Sequence, residues 1–442
     1  MSQAVAVDAA GESSARPAVS LPIGHLVRIS LYWLGLTAID GAVGLFIQNR
    51  LNYDHYVDSF HIGETLFLIS IPVAVLSILV QPTVGAISDY TVSRWGRRKP
   101  YIVFGSLLDL VFLAGIATAN SVLTLAAFVA LLSISTNIAR GPFQGYVPDL
   151  IAEKQVGMAS ALVGMMQILG NVTGFGLVTI AVGLGRMEFA IAAVAIVELV
   201  TMIAVVVRVS PGQPPRDRGT RSWLSVAGEA WSADILKERS YVWLVASRLF
   251  FLMGGSMLVN LVITYLNQTH GQDIKTANGT NVIILVLVVV GNLVAIIPSA
   301  RLSDRIGRKP VIYVSCLVGG LGLLIAGLAP DITWLMVGAL LFGVSAGTFL
   351  AVDWALITDI IPRASSGRYM GLSNVATSSA TVFAVMTGGL LLDFVNRSPL
   401  GYGAGPRAAY ILGAAYYVVA ALLLRPVKEP DRRHSRVASQ AA

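Results

Sequence analysis

Long apolar runs, each ended by a short polar or charged segment, repeat along the whole chain. A helix that crosses the hydrocarbon core of a bilayer needs about 20 mostly apolar residues. Since lipid offers no hydrogen-bond partners to the backbone, such runs predict helices. The twelve predicted spans cover residues 26–48, 62–88, 101–118, 122–147, 157–182, 188–208, 240–266, 280–300, 311–329, 333–360, 369–392 and 407–425.

A longer polar segment, residues 209–239, separates the sixth and seventh spans and predicts a linker. It contains three prolines and an amphipathic pattern around Trp223–Trp231, which predicts a short helix. The ends, residues 1–21 and 428–442, are polar and predict disordered tails, and the first lacks the pattern of a signal peptide. The predicted domains are therefore two six-helix bundles, over residues 22–208 and 240–427.

Composition and charge agree with a membrane protein. Charged residues make up 12% of the chain and hydrophobic residues 55%, against about 25% and under half in soluble domains. The net charge of +7 could indicate a nucleic-acid partner, but the basic residues lie in short loops. If both ends are cytoplasmic, inner segments hold 24 of the 31 Lys and Arg residues and outer loops hold five. This asymmetry predicts a cell-membrane protein with both termini inside, and no nucleic-acid partner.

The two halves of the sequence repeat each other at a constant distance. Gly96-Arg97-Arg98-Lys99-Pro100 matches Gly307-Arg308-Lys309-Pro310 at an offset of 210 residues. Asp149 with Gly157 matches Asp359 with Gly367 at the same offset of 210. The repeat predicts two parallel six-helix units with a cavity near the midplane where they meet.

Each repeat places a carboxylate beside a basic cluster after its second span. Charge-assisted hydrogen bonds at helix ends can hold neighbouring helices in one conformation and release them in another. Positive-inside topology alone is the alternative explanation for the basic residues. The predicted conformational latch consists of Asp89, Arg94, Gly96, Arg97, Arg98, Asp149, Asp304, Arg305, Gly307, Arg308, Lys309 and Asp359.

These loops resemble the signature loop of the major facilitator superfamily, in Gly85-x-x-x-Asp89 with Arg94 and more clearly in Ser303-Asp304-Arg305-x-Gly307-Arg308-Lys309. The spacing from Asp89 to Gly96, and Asn137-x-x-x-Gly141-Pro142, are similar to the sucrose transporters of the glycoside-pentoside-hexuronide:cation symporter group. The resemblance implies an all-α fold that works as a monomer. It also implies that spans 1, 4, 7 and 10 line the cavity.

The chain departs from the sucrose transporters in the fourth span. Ser133 stands where they carry an acidic residue. They place Gln before the Gly-Pro pair and Arg after it, whereas here Arg140 precedes and Gln144 follows.

Each of the four cavity spans contains one deep ionisable residue: Asp40, Arg140, Arg248 and Asp353. A charge inside a span costs at least about 2.5–3.5 kcal/mol unless it is paired or hydrated, so each is a candidate functional residue. At a rise of about 1.5 Å per residue, Asp40 lies about 18 Å from the inner end, Arg140 and Arg248 about 13 Å, and Asp353 about 9 Å. These depths allow an Asp40–Arg140 pair and an Arg248–Asp353 pair. Protonation of either carboxylate would release its arginine, and a permanent structural ion pair is the alternative.

Other polar residues in the spans are weaker candidates. Asn137, Gln144 and Trp354 could contact a substrate in the cavity, although helix-to-helix contacts explain the asparagine equally well. Asp109 and Glu198 lie in the third and sixth spans, where we expect each to form a local hydrogen bond.

Three functions remain open. The first is proton-coupled uptake of a sugar or glycoside, a small-molecule substrate. The second is efflux of amphipathic small molecules in exchange for protons, and the third is a non-transporting role in membrane assembly or sensing. The sequence contains no nucleotide-binding loop, catalytic constellation or metal-ligand spacing, so we expect neither an enzyme nor a cofactor.

Overall fold

The computed structural model describes residues 21–53, 57–151, 155–209, 220, 222–229, 238–360 and 366–428. Within these ranges the regular structure is α-helical, apart from short turns. The helices are α1 (Ile23–Ser30), α2 (Tyr32–Tyr53), α3 (Ile62–Asp89), α4 (Lys99–Thr118), α5 (Val122–Leu150), α6 (Val156–Gly183), α7 (Glu188–Arg208), α8 (Trp223–Glu229), α9 (Arg239–His270), α10 (Ile274–Ile306), α11 (Arg308–Gly327), α12 (Ile332–Ile360), α13 (Ser366–Asn396) and α14 (Ala404–Leu424).

The described helices include twelve segments that are long and apolar enough to cross a membrane, which confirms the predicted fold class. The first span is formed by α1 and α2, which are separated only at Leu31. Several helices are longer than the apolar runs that predicted them, most clearly α10 and α13. Their ends carry polar residues, because a helix keeps its internal hydrogen bonds where it leaves the hydrocarbon core.

The spans form two bundles. In the first, α2 packs on α6 and α7, while α5 packs on α3 and α4. In the second, α12 packs on α10 and α11, and α14 packs on α9 and α11. The bundles meet along α3 with α13, α6 with α10, and α2 with α9. Because the described residues form twelve spans, an even number, the start of the first span and the end of the last lie on one side, which we call the terminal side; the opposite side is the distal side.

The linker and tails are described only in part. Helix α8 confirms a short helix in the linker, where its Trp223 and Leu224 are exposed, and it packs against α3. The predicted tails lie outside the described residues except for Leu21 and Lys428.

The internal repeat is visible in matching local structures. Gly96 and Gly307 both have positive φ, 94° and 98°, in the turns that begin the third and ninth spans. The Lys99 ammonium donates to the carbonyls of Val206 and Val209 at 2.8 and 2.7 Å. The Lys309 ammonium likewise donates to Arg425 and Val427 at 3.1 and 2.6 Å. In each half, therefore, a lysine of the third span caps the end of the sixth, where the helix dipole favours a cation.

We expect Lys99→Met and Lys309→Met each to lower stability by about 1–3 kcal/mol, because each leaves unpaired carbonyls that a charged donor satisfied. The loss should be larger for Lys99, which is the more buried of the two. The melting temperature of the detergent-purified protein measures the effect. Lys275→Met, at an exposed position, is the matched control, and equal melting temperatures for all three variants would contradict the prediction.

Candidate functional site

The distal ends of the two bundles are joined by amide side chains. Asn49 of α2 and Asn278 of α10 exchange two hydrogen bonds of 3.2 and 2.8 Å. Asn52 donates to the Thr264 hydroxyl at 3.0 Å, and the Gln48 side-chain oxygen accepts from the Ile263 backbone at 3.2 Å. The first span is therefore fastened at its distal end to α9 and α10.

A second set of distal contacts joins α3 to α13. Glu64 and Arg397 form an ion pair of 2.8 Å, and the Asp393 carboxylate accepts from the backbone amide of Glu64 at 2.6 Å. The backbones of Gly63 and Gly389 touch, so that a Cβ atom placed on Gly389 would lie 2.7 Å from the Gly63 carbonyl oxygen. These contacts close the distal end of the molecule.

The Asp40–Arg140 pair lies deeper in the first bundle. Arg140 reaches from α5 to α2, and its Nη2 donates to Asp40 Oδ2 at 2.6 Å. The Asp40 side chain is 47% exposed and that of Arg140 15%, although neighbouring residues on α2 are buried. Asp40 is eight residues from Gln48, about 12 Å below the distal contacts. Because the distal ends of the bundles are joined above it, we interpret the exposure of this carboxylate as an opening toward the terminal side.

The second ion pair, Arg248 with Asp353, is buried. Arg248 Nη1 donates to Asp353 Oδ2, and Arg248 Nε donates to the Thr377 hydroxyl at 3.1 Å. The side chains are only 7% and 3% exposed. The pair joins α9, α12 and α13 in a dry environment, where a charge without its partner would be costly. The structure thus brings together both pairs that depth along the helices predicted, but in different surroundings.

The other predicted cavity residues lie elsewhere. Asn137 is buried, and its amide donates to the Ser77 hydroxyl at 3.1 Å and to the Ser133 carbonyl at 2.7 Å. Its amide therefore makes the helix-to-helix contact that was the alternative explanation for this residue, in the α3–α5 interface. The Gln144 oxygen accepts from the Gln81 amide at 2.8 Å, again toward α3. The side chain of Trp354 is outside the described part of the structure.

The predicted latch residues of the first half meet at the terminal side. Arg98 pairs with Asp89 at 2.9 Å and donates to the Pro142 carbonyl at 3.0 Å, while Arg97 lies 3.9 Å from Asp89. Arg94 is exposed and stacks over Trp95. These contacts connect α3, α4 and α5.

In the second half, Gly307 separates α10 from α11. Asp304 and Arg305 end α10 and are exposed, and Arg308 begins α11. Asp149 and Asp359 lie on α5 and α12, with side chains outside the described structure.

The distal contacts were not predicted from the sequence. The signal was present, since Gln48, Asn49 and Asn52 concentrate three amides at the end of an apolar run. For Asp109 and Glu198, only separate local hydrogen bonds were predicted. Asp109 does accept local hydrogen bonds, from Ser135 and Thr136, but the two acids also interact with each other.

The structure consists of two packed bundles of membrane-spanning helices. An internal repeat relates the bundles, and contacts at the distal end join them above a polar centre. These features define the class of this protein as a multi-pass membrane transporter. The family model described as Major Facilitator Superfamily matches residues 29–291 and 249–441. The chain belongs to this superfamily.

Known proteins match over different lengths. The chain is 30% identical over 123 residues to a sucrose transport protein of Arabidopsis thaliana, covering 23% of this chain and 21% of that protein. It is 26% identical over 140 residues to the class H tetracycline resistance protein of Pasteurella multocida, covering 32% of each. The matches span only 16% to 35% of the length of the curated relatives.

The solved structure of a D-xylose–proton symporter has the same fold. It superposes with a TM-score of 0.68 at 16% identity, covering 91% of this chain and 97% of that one.

Proposed function

We propose that this transporter is a proton-coupled symporter of a sugar or glycoside in the cell membrane, with both termini in the cytoplasm. The observation that carries the proposal is the exposed Asp40–Arg140 pair beneath a closed distal end. On this proposal the conformation is inward-open, and the pair faces the cytoplasm.

The pair has the chemistry for coupling. A carboxylate that is open to water can exchange protons, and this one is paired with a guanidinium. Protonation of Asp40 removes the charge that holds Arg140, so the arginine becomes available to substrate oxygens. Coupling then follows if the proton and the substrate are bound better by one conformation than by the other.

Polar groups beside the pair suit a hydroxyl-rich substrate. Ser256 of α9 and Thr381 of α13 share a hydrogen bond of 3.1 Å at a partly exposed position. The Asn260 side-chain amide donates to the Ser256 carbonyl. The side-chain oxygen of Asn260 lies 3.8 Å from the position that a Cβ atom on Gly44 would occupy. Oxygen acceptors and hydroxyls at the bundle interface can bind sugar hydroxyls.

The similar proteins support two substrate classes, sugars and amphipathic compounds, and the support for sugars comes from more than one comparison. Similarity to a sucrose transport protein agrees with the loop and fourth-span motifs, and the fold is shared with a D-xylose–proton symporter. Similarity to a tetracycline resistance protein supports the second candidate, efflux of amphipathic compounds.

Uptake into proteoliposomes tests the proposal. We expect radiolabelled sucrose, maltose or a monosaccharide to accumulate under an inside-alkaline pH gradient, and the accumulation to collapse with a protonophore. Asp40→Asn should abolish this accumulation but retain counterflow, which needs no net proton movement. Asp58→Asn, an exposed carboxylate at the distal surface, is the matched control.

The alternatives predict other results. If folded protein accumulates none of these sugars but expels amphipathic compounds against protons, efflux replaces uptake. If no substrate moves in either direction and the buried charges can be removed without loss of the cellular role, the protein acts without transport.

A further inference from the structure

The first bundle contains two acidic side chains that lie close together away from the open face. Asp109 of α4 and Glu198 of α7 are both fully buried. The Tyr32 hydroxyl contacts both Glu198 and Ser106, and Ser106 lies one helical turn from Asp109 on α4, so the two carboxyl groups are neighbours where α4 packs on α7. We call them the acid pair.

Neutral hydroxyl groups surround the acid pair. Asp109 Oδ1 accepts from Ser135 and from Thr136, the latter at 2.9 Å. Glu198 Oε1 accepts from the Tyr32 hydroxyl at 3.3 Å, and Tyr32 in turn lies 2.5 Å from the Ser106 hydroxyl. The other two oxygens, Asp109 Oδ2 and Glu198 Oε2, are buried and receive no hydroxyl, amide or guanidinium donor from the described residues.

Two neighbouring acids that are fully buried, each with an oxygen that receives no donor from the described residues, favour a bound proton. Carboxylate oxygens are only acceptors, so two carboxyl groups can share a hydrogen bond only when one of them carries a hydrogen. Two negative charges in contact in a dry interior would also repel strongly.

Few charged or titratable groups face the acid pair. The α6 sequence contains no titratable residue, α2 contributes Tyr32, and α5 contributes Arg140. Arg140 is already engaged by Asp40, so it leaves the acid pair without a full counter-charge.

Arg140 lies between the acid pair and the open face. Thr136, which binds Asp109, precedes Arg140 by four residues and therefore lies on the same face of α5. The positive charge of Arg140 acts on Asp109. Its Nη2 binds Asp40, but its Nε is buried and has no hydrogen-bond partner among the described residues. Arg140 thus has a spare donor, and its charge acts on both Asp40 and Asp109.

We propose that the acid pair is a proton-binding site that holds one proton in this conformation and exchanges it with Asp40 as Arg140 moves between them. The exchange is balanced. An O–H bond of the acid pair breaks, an O–H bond forms on Asp40, and Arg140 transfers its pairing from the Asp40 carboxylate to the newly ionised Asp109. The exchange with Asp40 rests on the proposed symport, whereas the bound proton does not.

Infrared difference spectroscopy of the purified protein in lipid nanodiscs tests the proton site without any substrate. At neutral pH, the spectrum of the wild type minus Glu198→Gln should show the carbonyl band of a protonated carboxylic acid, shifted in heavy water. Asp109→Asn should remove the same band. Asp58→Asn should leave it unchanged. Tyr32→Phe, which removes only a hydroxyl donor to Glu198, should shift it, and this variant serves if the acid replacements do not fold.

The acid pair is not a proton site if no such band is present in the wild type, or if the band survives Asp109→Asn and Glu198→Gln unchanged. A band lost when sodium is added to the wild type would assign the acid pair to sodium instead.

A transport measurement separates this proposal from the proposed function. With sucrose as the probe, Asp109→Asn and Glu198→Gln should each retain counterflow and lose accumulation driven by the pH gradient. Full gradient-driven accumulation in both variants would remove the exchange with Asp40. If the wild type does not accumulate sucrose, the proposed function fails, while the infrared result still decides whether the acid pair holds a proton.

Discussion

Asp353→Ala is expected to destabilise the protein by about 3–5 kcal/mol, because it leaves the charge of Arg248 buried without its carboxylate. The side chains of the pair are 7% and 3% exposed, so water cannot replace the missing partner. The Thr377 hydroxyl bound to Arg248 is neutral and does not compensate the charge. We expect a large fall in the melting temperature and loss of the monodisperse peak in size-exclusion chromatography.

Two further variants show whether the buried charge is responsible. The double change Arg248→Met with Asp353→Leu removes both charges and should recover much of the stability, since apolar replacements for buried ion pairs are often well tolerated. Asp40→Ala should cost far less, because its carboxylate is half exposed and Arg140 keeps access to water. If Asp353→Ala and Asp40→Ala lower the melting temperature equally, burial does not distinguish the two pairs.

Gly389→Leu is expected to open the distal end. Even a Cβ atom on Gly389 would lie 2.7 Å from the Gly63 carbonyl oxygen and 3.1 Å from its Cα atom, and both of these are backbone atoms that cannot rotate away. A leucine must therefore separate α3 from α13 and weaken the neighbouring Glu64–Arg397 pair. The conformational equilibrium should shift away from the distally closed form.

Double electron–electron resonance spectroscopy, which measures the distance between two spin labels, tests this shift. Asp58→Cys on the first bundle and Leu400→Cys on the second give exposed distal sites, and the single native cysteine, Cys316, is buried. We expect longer label-to-label distances in Gly389→Leu than in its parent. Gly279→Leu is the control, because a Cβ there meets no atom within 4 Å. An unchanged distance distribution in Gly389→Leu would show that the glycine contact does not hold the distal end closed.

Much of this architecture could be predicted because membrane helices obey simple distance rules. The apolar runs predicted the twelve spans, and the constant rise of a helix placed Asp40 near Arg140 and Arg248 near Asp353. The repeated Gly-Arg-Lys-Pro segments predicted matching local structure in both halves, and Gly96 and Gly307 adopt the same positive φ.

What depends on helix rotation and conformation could not be predicted in the same way. Asn137 faces α3 because of the way α5 is rotated within its bundle, and the sequence does not specify that rotation. The exposure of Asp40 depends on which end of the molecule is closed. Asp109 and Glu198 lie 89 positions apart on two different helices. No local sequence pattern predicts that two such residues are neighbours.

The two lysine caps also order the events of biosynthesis. Lys99 binds a carbonyl 110 residues further along the chain, and Lys309 binds one 118 residues further along. Neither contact can form until the ribosome has made the last span of its own half. The first bundle can thus complete its cap while most of the second is still unmade, so each half matures as a unit, the N-terminal one first.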